Sequence, residues 1–536
     1  MAIFDAHNIG YTFANGDTLF SNISCTMDKH RIGLIGRNGI GKSILSAILS
    51  GEISPSSGKV SAPSNFSIFT QERLTELEHG LTIAEYLEKH HILNALKHVQ
   101  MGSCLEKWFE IIDQDWELES QLKQDLANLG LPPEPSFLCN ELSGGQFTRL
   151  ALWKRFRQSA ELLILDEPSN HLDNTAKQWL IESMNVFSGA ILLISHDREL
   201  LNQVEEIWQL STTGLQVFGG NYDFYESQKY IEQQSIDKKL VNINRQKKQL
   251  DAQTQRNIEK AQQRAAKSNK LRRRGSQGKM LLNKMKESAE NSLSNRSKLS
   301  QIKKTQLQCR ERQLTTQQDR WKSQTFNVSS CQQTSNTRVL YLDGQLAFGT
   351  KAQLNLQLFS KDKIHLQGPN GCGKSTLLQT LSGKLSLSQG DVSTTSRFCY
   401  LDQHLTIIDQ TRSVLDNFCL HVNGNSECSA RTVLAGMGFR GDDVFKYAES
   451  LSGGEKIKLA MLIVSHHPKQ PFLLLDEPDN HLDIDSKAIL ANALNDYQGG
   501  FLLVTHDCAF AHHSGVQQSY CMDHQGLTLT TPHDKD

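Results

Sequence analysis

Apolar residues along this chain gather in short runs, of which Ile32–Ile35, Leu162–Leu165, Ile364–Leu366 and Phe472–Leu475 are the clearest. Such short runs predict strands buried on both faces of a parallel sheet. None approaches the ~18 apolar residues a membrane helix requires. Between Gln228 and about Gln324 the pattern changes. Leu240, Ile243, Leu250, Ile258, Ala261 and Ala265 recur at helical spacing, followed by Leu282, Met285 and Ala289, and later by Leu307, Leu314 and Trp321. No proline occurs from Ser169 to Gly368. This stretch predicts two long helices packed side by side. The turn falls at Arg272–Lys279, where Gly275, Ser276 and Gly278 interrupt the pattern. A helix over Lys238–Lys270 would extend ~50 Å. Ser323–Arg338 is polar and reads as irregular.

The strand-like runs belong to a repeat. GRNGIGKS at Gly36–Ser43 is answered by GPNGCGKS at Gly368–Ser375, and LSGGQ at Leu142–Gln146 by LSGGE at Leu451–Glu455. LLILDEPSNHLD ending at Asp173 is answered by FLLLDEPDNHLD ending at Asp483, and LLISHD ending at Asp197 by LLVTHD ending at Asp507. Lys42 precedes Gln71 by 29 residues, as Lys374 precedes Gln403. Glu167 precedes His196 by 29, as Glu477 precedes His506. One interval differs: 72 residues separate Gln71 from Ser143, against 49 from Gln403 to Ser452. So long a period excludes a solenoid and indicates a duplicated α/β domain, with a local insertion in the first copy. The expected boundaries are 1–227 for the first domain, 228–335 for the helical linker with its tip near 271–280, and 336–536 for the second domain. An arm-like insertion spans about 81–131.

The repeated motifs carry a definite chemistry. Gly36, Gly41, Lys42 and Ser43, and likewise Gly368, Gly373, Lys374 and Ser375, fit the phosphate-binding loop GxxxxGKS. Glycines let the backbone turn its N–H groups onto phosphate oxygens at the positive end of a helix. The loops also place Asn38, Gly39 and Ile44, and Asn370, Gly371 and Thr376, against the nucleotide. Lys42 and Lys374 are expected on the β- and γ-phosphates, with Ser43 and Ser375 on Mg²⁺. Asp166 and Asp476 end apolar strands, where a carboxylate that helps hold Mg²⁺ belongs. Glu167 and Glu477 follow at once, placed to orient and deprotonate an attacking water. His196 and His506 follow further strand-like runs and suit a sensor of the γ-phosphate.

Composition adds little until charge is divided along the chain. The 536 residues, 38 % hydrophobic and 21 % charged, describe a globular protein of two to four domains. No basic-then-apolar leader opens the sequence, so a soluble, cytoplasmic protein is expected. The 11 cysteines are scattered, with no CxxC pair. They suggest ordinary buried thiols, not a disulfide framework or a zinc site. The net charge of −1 is the balance of two unlike parts. Lys238–Lys322 holds 24 lysines and arginines against 6 acids, a net of +18; the remainder holds 33 against 52, a net of −19. A basic segment in an acidic chain points to a polyanionic partner.

The order of motifs, twice over, resembles ATP-binding-cassette (ABC) ATPases. The DEPxNHLD form, two nucleotide domains in one chain and a helical linker together resemble the ABC-F family of cytosolic ATPases that act on ribosomes. The resemblance covers nearly the whole chain. It implies two tandem ABC-type P-loop ATPase domains that close head to tail around two ATP molecules with Mg²⁺. Lys42 and Glu167 would then work with Ser452, Gly453 and Gly454, and Lys374 and Glu477 with Ser143, Gly144 and Gly145. Gln71 and Gln403 would contact Mg²⁺ or the water, and Phe13 and Phe348 would stack on adenine. The basic helical-hairpin linker would reach toward the P-site tRNA and the peptidyl-transferase region. Arg272, Arg273, Arg274 and Lys279 are its candidate RNA contacts. The role would be regulation of translation or protection of ribosomes from antibiotics, in a monomer whose two domains pair with each other. Ile44, Ser169 and Asp479 stand where the family usually has threonine; none removes a catalytic group, so both sites are expected to be competent, with phosphate contacts weaker in the first because of Ile44. An ABC exporter subunit shares the nucleotide motifs but gives no reason for the basic insert. Trp108, Phe109 and Trp116 in the arm are expected to be core.

Overall fold

Each half of the chain is built around the strand that delivers its glycine-rich loop. The computed structural model describes residues 3–61, 63, 65–70, 80–170, 172–211, 214–273, 298–299, 301–312, 314–315, 337–395, 398–401, 405–422, 427–466, 471–480 and 482–530. It divides into two compact units, Met1–Tyr222 with Gln324–Asp536, and Asp223–Ser323.

Within the first unit, the first half contributes β1 (Phe4–Thr12), β2 (Thr18–Met27), β3 (Arg31–Gly36), β4 (Ser57–Ser61), β5 (Phe66–Phe69), β6 (Leu162–Asp166), β7 (Ala190–Ile194), β8 (Glu206–Ser211) and β9 (Gly214–Gly219). The second half contributes β10 (Arg338–Gln345), β11 (Leu354–Phe359), β12 (Lys363–Gln367), β13 (Gln389–Thr394), β14 (Phe398–Leu401), β15 (Phe472–Asp476), β16 (Phe501–Val504), β17 (Gln518–Asp523) and β18 (Gly526–Thr530). The larger sheets run β5-β6-β7-β3-β8-β9 and β14-β15-β16-β12-β17-β18, so the two halves share one strand order. All their pairings are parallel except the last hairpin of each. A three-stranded antiparallel sheet completes each half, β2-β1-β4 and β11-β10-β13.

The apolar runs are strands buried on both faces: Leu162, Leu163, Ile164 and Leu165 are fully enclosed, as are Leu473, Leu474 and Leu475. Burying each such side chain contributes about 1.5–3 kcal/mol. Trp208 sits in the first core with Phe4 edge-on at 5.8 Å. A basic residue at the start of each central strand ties down the helix that follows the acidic motif. The Arg31 guanidinium donates to the carbonyl of Met184 in the last turn of the helix Asn174–Val186 and to those of Phe187 and Gly189 just after it. Lys363 donates to those of Leu494 and Asn495 beside the helix Ile484–Asp496. A cation there answers the negative end of the helix dipole.

In the second unit one helix runs Tyr222–Arg273, 52 residues. That is ~78 Å of helix, longer than the periodicity alone predicted, because it begins ahead of the first apolar seam residue. Residues 301–312 are helical as well, and Lys304 donates to Asp251 at 2.9 Å while Lys247 pairs with Glu311. Residues later in one segment meet residues earlier in the other, so the two run antiparallel. Arg274 and Lys279 lie outside the described residues, and Arg272 and Arg273 close the long helix.

Two expectations are corrected. Phe109 and Trp116 are exposed, because the arm folds into the short helices His90–Gln100, Glu106–Ile112 and Leu118–Asn128, too small to enclose them. Trp108 instead stacks on His98 at 4.3 Å. Among the described cysteines, Cys25, Cys139 and Cys372 are buried but Cys104, Cys309, Cys419, Cys428 and Cys508 are exposed; all are free thiols.

Candidate nucleotide sites

The loop after β3 and the loop after β12 take the same path. Gly39 and Gly371 have φ of 77° and 82°, and Gly41 and Gly373, at 96° and 107°, begin the helices Lys42–Leu49 and Lys374–Leu381. These are left-handed conformations that a side chain disfavours. A Cβ on Gly41 would meet Leu19 at 2.5 Å, and one on Gly368 would meet the Met522 carbonyl at 2.1 Å. Each loop therefore leaves a cradle lined by backbone at a helix N-terminus, which suits a phosphate chain.

In both halves the lysine lies under this cradle. Lys42 Nζ donates to Gly36 O at 2.8 Å and Arg37 O at 3.3 Å; Lys374 Nζ donates to Gly368 O at 2.7 Å and Pro369 O at 3.1 Å. Ser43 and Ser375, one residue on, are exposed. Ile44 and Thr376 follow, half-buried, so the side chains that distinguish the two loops are both partly enclosed. Asp166 and Asp476 end β6 and β15. Burial raises the Asp476 carboxyl against the bonds it accepts from Tyr400, at 2.9 Å, and from Ser375. The Ser375–Asp476 pair joins loop and strand end, the oxygen donors an Mg²⁺ ion bound with phosphates would use. Among the described residues no group of three or more His, Cys, Asp and Glu is placed to hold a metal ion.

Glu167 and Glu477 are the strained members. Their φ values are 47° and 48°, left-handed for residues with a full side chain, while their N–H groups donate to Ile194 and Val504 of the neighbouring strand. Backbone strain repeated at one position of two copies marks a functional constraint. His196 Nε2 lies 3.5 Å from Glu167 and His506 Nε2 lies 3.5 Å from Glu477.

The surroundings differ from there. Lys42 Nζ reaches His196 Nε2 at 2.9 Å. Burial, then the Lys42 charge, push the His196 imidazole down to about 3, so it accepts from the ammonium as a neutral ring. Burial pushes the Glu167 carboxyl up to about 8, opposed by Lys42 and reinforced by Asp166. Glu167 Oε1 and His196 Nδ1 are buried without a hydrogen-bond partner. In the second half His506 faces Asn370 Oδ1 at 3.2 Å, and Asn480 Nδ2 donates to Glu477 at 2.5 Å. There burial, which raises the Glu477 carboxyl, is outweighed by the bonds from His506 and Asn480 and by the Lys374 charge, and the group is held below its usual range.

The halves meet head to tail at these loops. Asp483 Oδ2 accepts from Asn38 N at 3.1 Å, and Asp173 Oδ2 from Asn370 N at 3.5 Å. The same aspartates cap the helices that follow them, through Ala176 N and Ser486 N. Motif reading missed this role, though the signal was present: both acidic motifs end in aspartate. Ser143 and Ser452 cap the helices Gly144–Phe156 and Gly453–Ser465. Gly144 and Gly453 are exposed at those helix starts, Gly454 is half-buried, and Gly145 is buried. Phe13 is 40 % exposed and Phe348 69 %, both available for stacking. Gln71 and Gln403 lie outside the described residues.

A family model described as ABC transporter matches residues 20–170 and 351–480. The ATP-binding protein YdiF of Bacillus subtilis is 32 % identical over 540 residues, covering 95 % of this chain and 78 % of its own length. The ATP-binding protein Uup of Escherichia coli is 29 % identical, covering 95 % of this chain and 79 % of its own length. Among solved structures, the archaeal ribosome recycling factor aABCE1, in complex with the stalk protein aP1, aligns with a TM-score of 0.60 over 97 % of this chain and 89 % of that one. At 14 % identity this likeness shows a shared fold.

Proposed function

The chain belongs to the ABC family of ATP-binding proteins, in its ABC-F branch, and from that premise we propose that it hydrolyses ATP to ADP and phosphate at two composite sites and uses the cycle to act on the ribosome. The observation that carries the hydrolytic reading is the pair of strained glutamates, each at a strand end beside a histidine and a phosphate-loop lysine.

In this reading Lys42 and Lys374 bind the β- and γ-phosphates. Ser43 with Asp166, and Ser375 with Asp476, hold Mg²⁺, which supplies charge neutralisation on the phosphates. Glu167 and Glu477 accept a proton from the attacking water, and His196 and His506 sense the γ-phosphate. Gln71 and Gln403 contribute contacts to Mg²⁺ or water, and Phe13 and Phe348 stack on adenine. Ser452, Gly453 and Gly454 complete the first site, and Ser143, Gly144 and Gly145 the second, so closure itself assembles each site. The contacts of Asp483 with the first loop and of Asp173 with the second support this exchange of parts.

The ribosomal reading rests on the ABC-F membership and on the charge of Lys238–Lys322, +18 beside a remainder of −19. Concentrated positive charge on a long helix can neutralise many phosphates of RNA. In this reading domain 1 spans 1–227, the linker 228–335 and domain 2 336–536. The linker reaches the P-site tRNA through Arg272, Arg273, Arg274 and Lys279, either to regulate translation or to protect ribosomes from antibiotics. The protein is then a cytoplasmic monomer. Among the described residues no helix is long and apolar enough to cross a membrane. The test is sucrose-gradient sedimentation of the Glu167→Gln, Glu477→Gln variant with ATP and ribosomes. Salt-sensitive, ATP-dependent migration with ribosomes is expected. Recovery at the top of the gradient, or with a membrane complex, overturns the ribosomal reading.

A further inference from the structure

Four residues beyond Asp173 and Asp483 stand Lys177 and Lys487, each in the first turn of its helix. A cation held away from water there opposes the helix dipole, so its presence in both copies needs a reason. Lys177 is buried and Lys487 half-buried, and each is paired with the aspartate after the switch histidine: Lys177 with Asp197 at 2.7 Å, and Lys487 with Asp507 at 3.1 Å. Buried pairs of this kind add little stability over apolar packing and serve better to specify an arrangement. All four line a cavity of about 280 Å³ between the two halves.

The arrangement is not symmetric. Lys177 Nζ also crosses the interface and donates to the carbonyl of His506, at 3.4 Å. Lys487 acts on the first half through its charge alone, on Asp197, Glu167 and His196, and in its own half it meets a further acidic group. Asp479 stands 3.7 Å from it, 3 % exposed, with Oδ1 buried in the cavity wall and without a hydrogen-bond partner. The matching residue of the first half is the uncharged Ser169. The paired lysines and aspartates are neutral together; Asp479 adds a carboxylate on one side only.

We propose that Lys177 is a positioning residue through which the first half holds the switch segment of the second, and that Asp479 makes this latch one-sided by retaining Lys487 in its own half. The inference rests on the two-site ATPase reading. It predicts that the second site depends on the first half more than the reverse.

The test uses the full chain with one site disabled at a time. In the Glu167→Gln background, Lys177→Met should lower kcat about tenfold with little change in ATP KM, the scale of one lost hydrogen bond to a charged group. Lys177→Arg should restore most of it, which a packing defect would not allow. In the Glu477→Gln background, Lys487→Met should change kcat less than about twofold. Exchanging the odd pair, Ser169→Asp with Asp479→Ser, should transfer the larger effect to Lys487→Met. Equal losses from the two lysine changes, or no transfer on exchange, overturn the proposal. Should one glutamine change silence both sites, release of labelled ATP from the doubly substituted protein replaces turnover. Lys177→Met then speeds release about tenfold and Lys487→Met does not, and equal rates overturn the proposal. A doubly substituted protein that binds no ATP, or hydrolyses it at the wild-type rate, refutes the ATPase reading instead.

Discussion

Lys42 Nζ lies 2.9 Å from Nε2 of His196, whereas His506, the matching histidine of the second half, lies 3.2 Å from Oδ1 of Asn370. Two loops of nearly one sequence thus put their switch histidines to different uses. In the first half the ring lies between the lysine and the glutamate; in the second it turns to the loop asparagine. The difference extends to the two bases, one raised by burial and the other lowered by the bonds it accepts.

The first prediction concerns pH. A general base works in its ionised form, present above its pKa. With Glu167 pushed up to about 8, the Glu477→Gln variant, which leaves the first site working, should gain turnover as pH rises through about 8. Glu477 is held low, so the Glu167→Gln variant should be nearly flat between about pH 6 and pH 8. Profiles of kcat against pH for the two variants check this, and coincident profiles would show that the two environments act alike.

Strain supplies the second prediction. Glu167 combines φ of 47° with a buried carboxyl oxygen that has no partner. Glu167→Gly relieves both while adding chain entropy to the unfolded state. The expected net is about 1 kcal/mol of added stability, with turnover lost. Thermal unfolding beside an ATPase assay reads both, and a lower Tm would show that the glutamate packs better than its backbone suggests.

Two glycines of the second loop separate steric need from conformational need. Gly368→Ala places a Cβ 2.1 Å from the Met522 carbonyl, so β12 and β17 must shift. Loss of about 3 kcal/mol is expected. Gly371→Ala meets nothing within 4 Å and pays only for its φ of 82°, about 1 kcal/mol. Chemical denaturation of the two variants checks the order.

Much of the site was legible because its motifs are local. A glycine loop, an Asp-Glu pair at a strand end and a histidine 29 residues on each announce themselves in one stretch of chain, and the repeat confirms the spacing. Parallel strands were legible for the same reason, since burial on both faces leaves an unbroken apolar run. Contacts between the halves were not. Nothing near Lys177 in sequence indicates that it meets His506, 329 residues away, and Asp479 reads as a variant threonine position until its burial beside Lys487 is seen. The exposed Phe109 and Trp116 were misread because helical spacing of aromatics indicates a face, and only the fold decides whether that face is covered.

The central claim is that two equivalent glutamates drive ATP hydrolysis while other groups hold the nucleotide. Steady-state turnover and retained ATP, measured together on the Glu167→Gln, Glu477→Gln variant, test it most directly. The account predicts turnover reduced by at least ~100-fold, the scale of losing a general base, with ATP still held in each half. Turnover at the wild-type rate would contradict it.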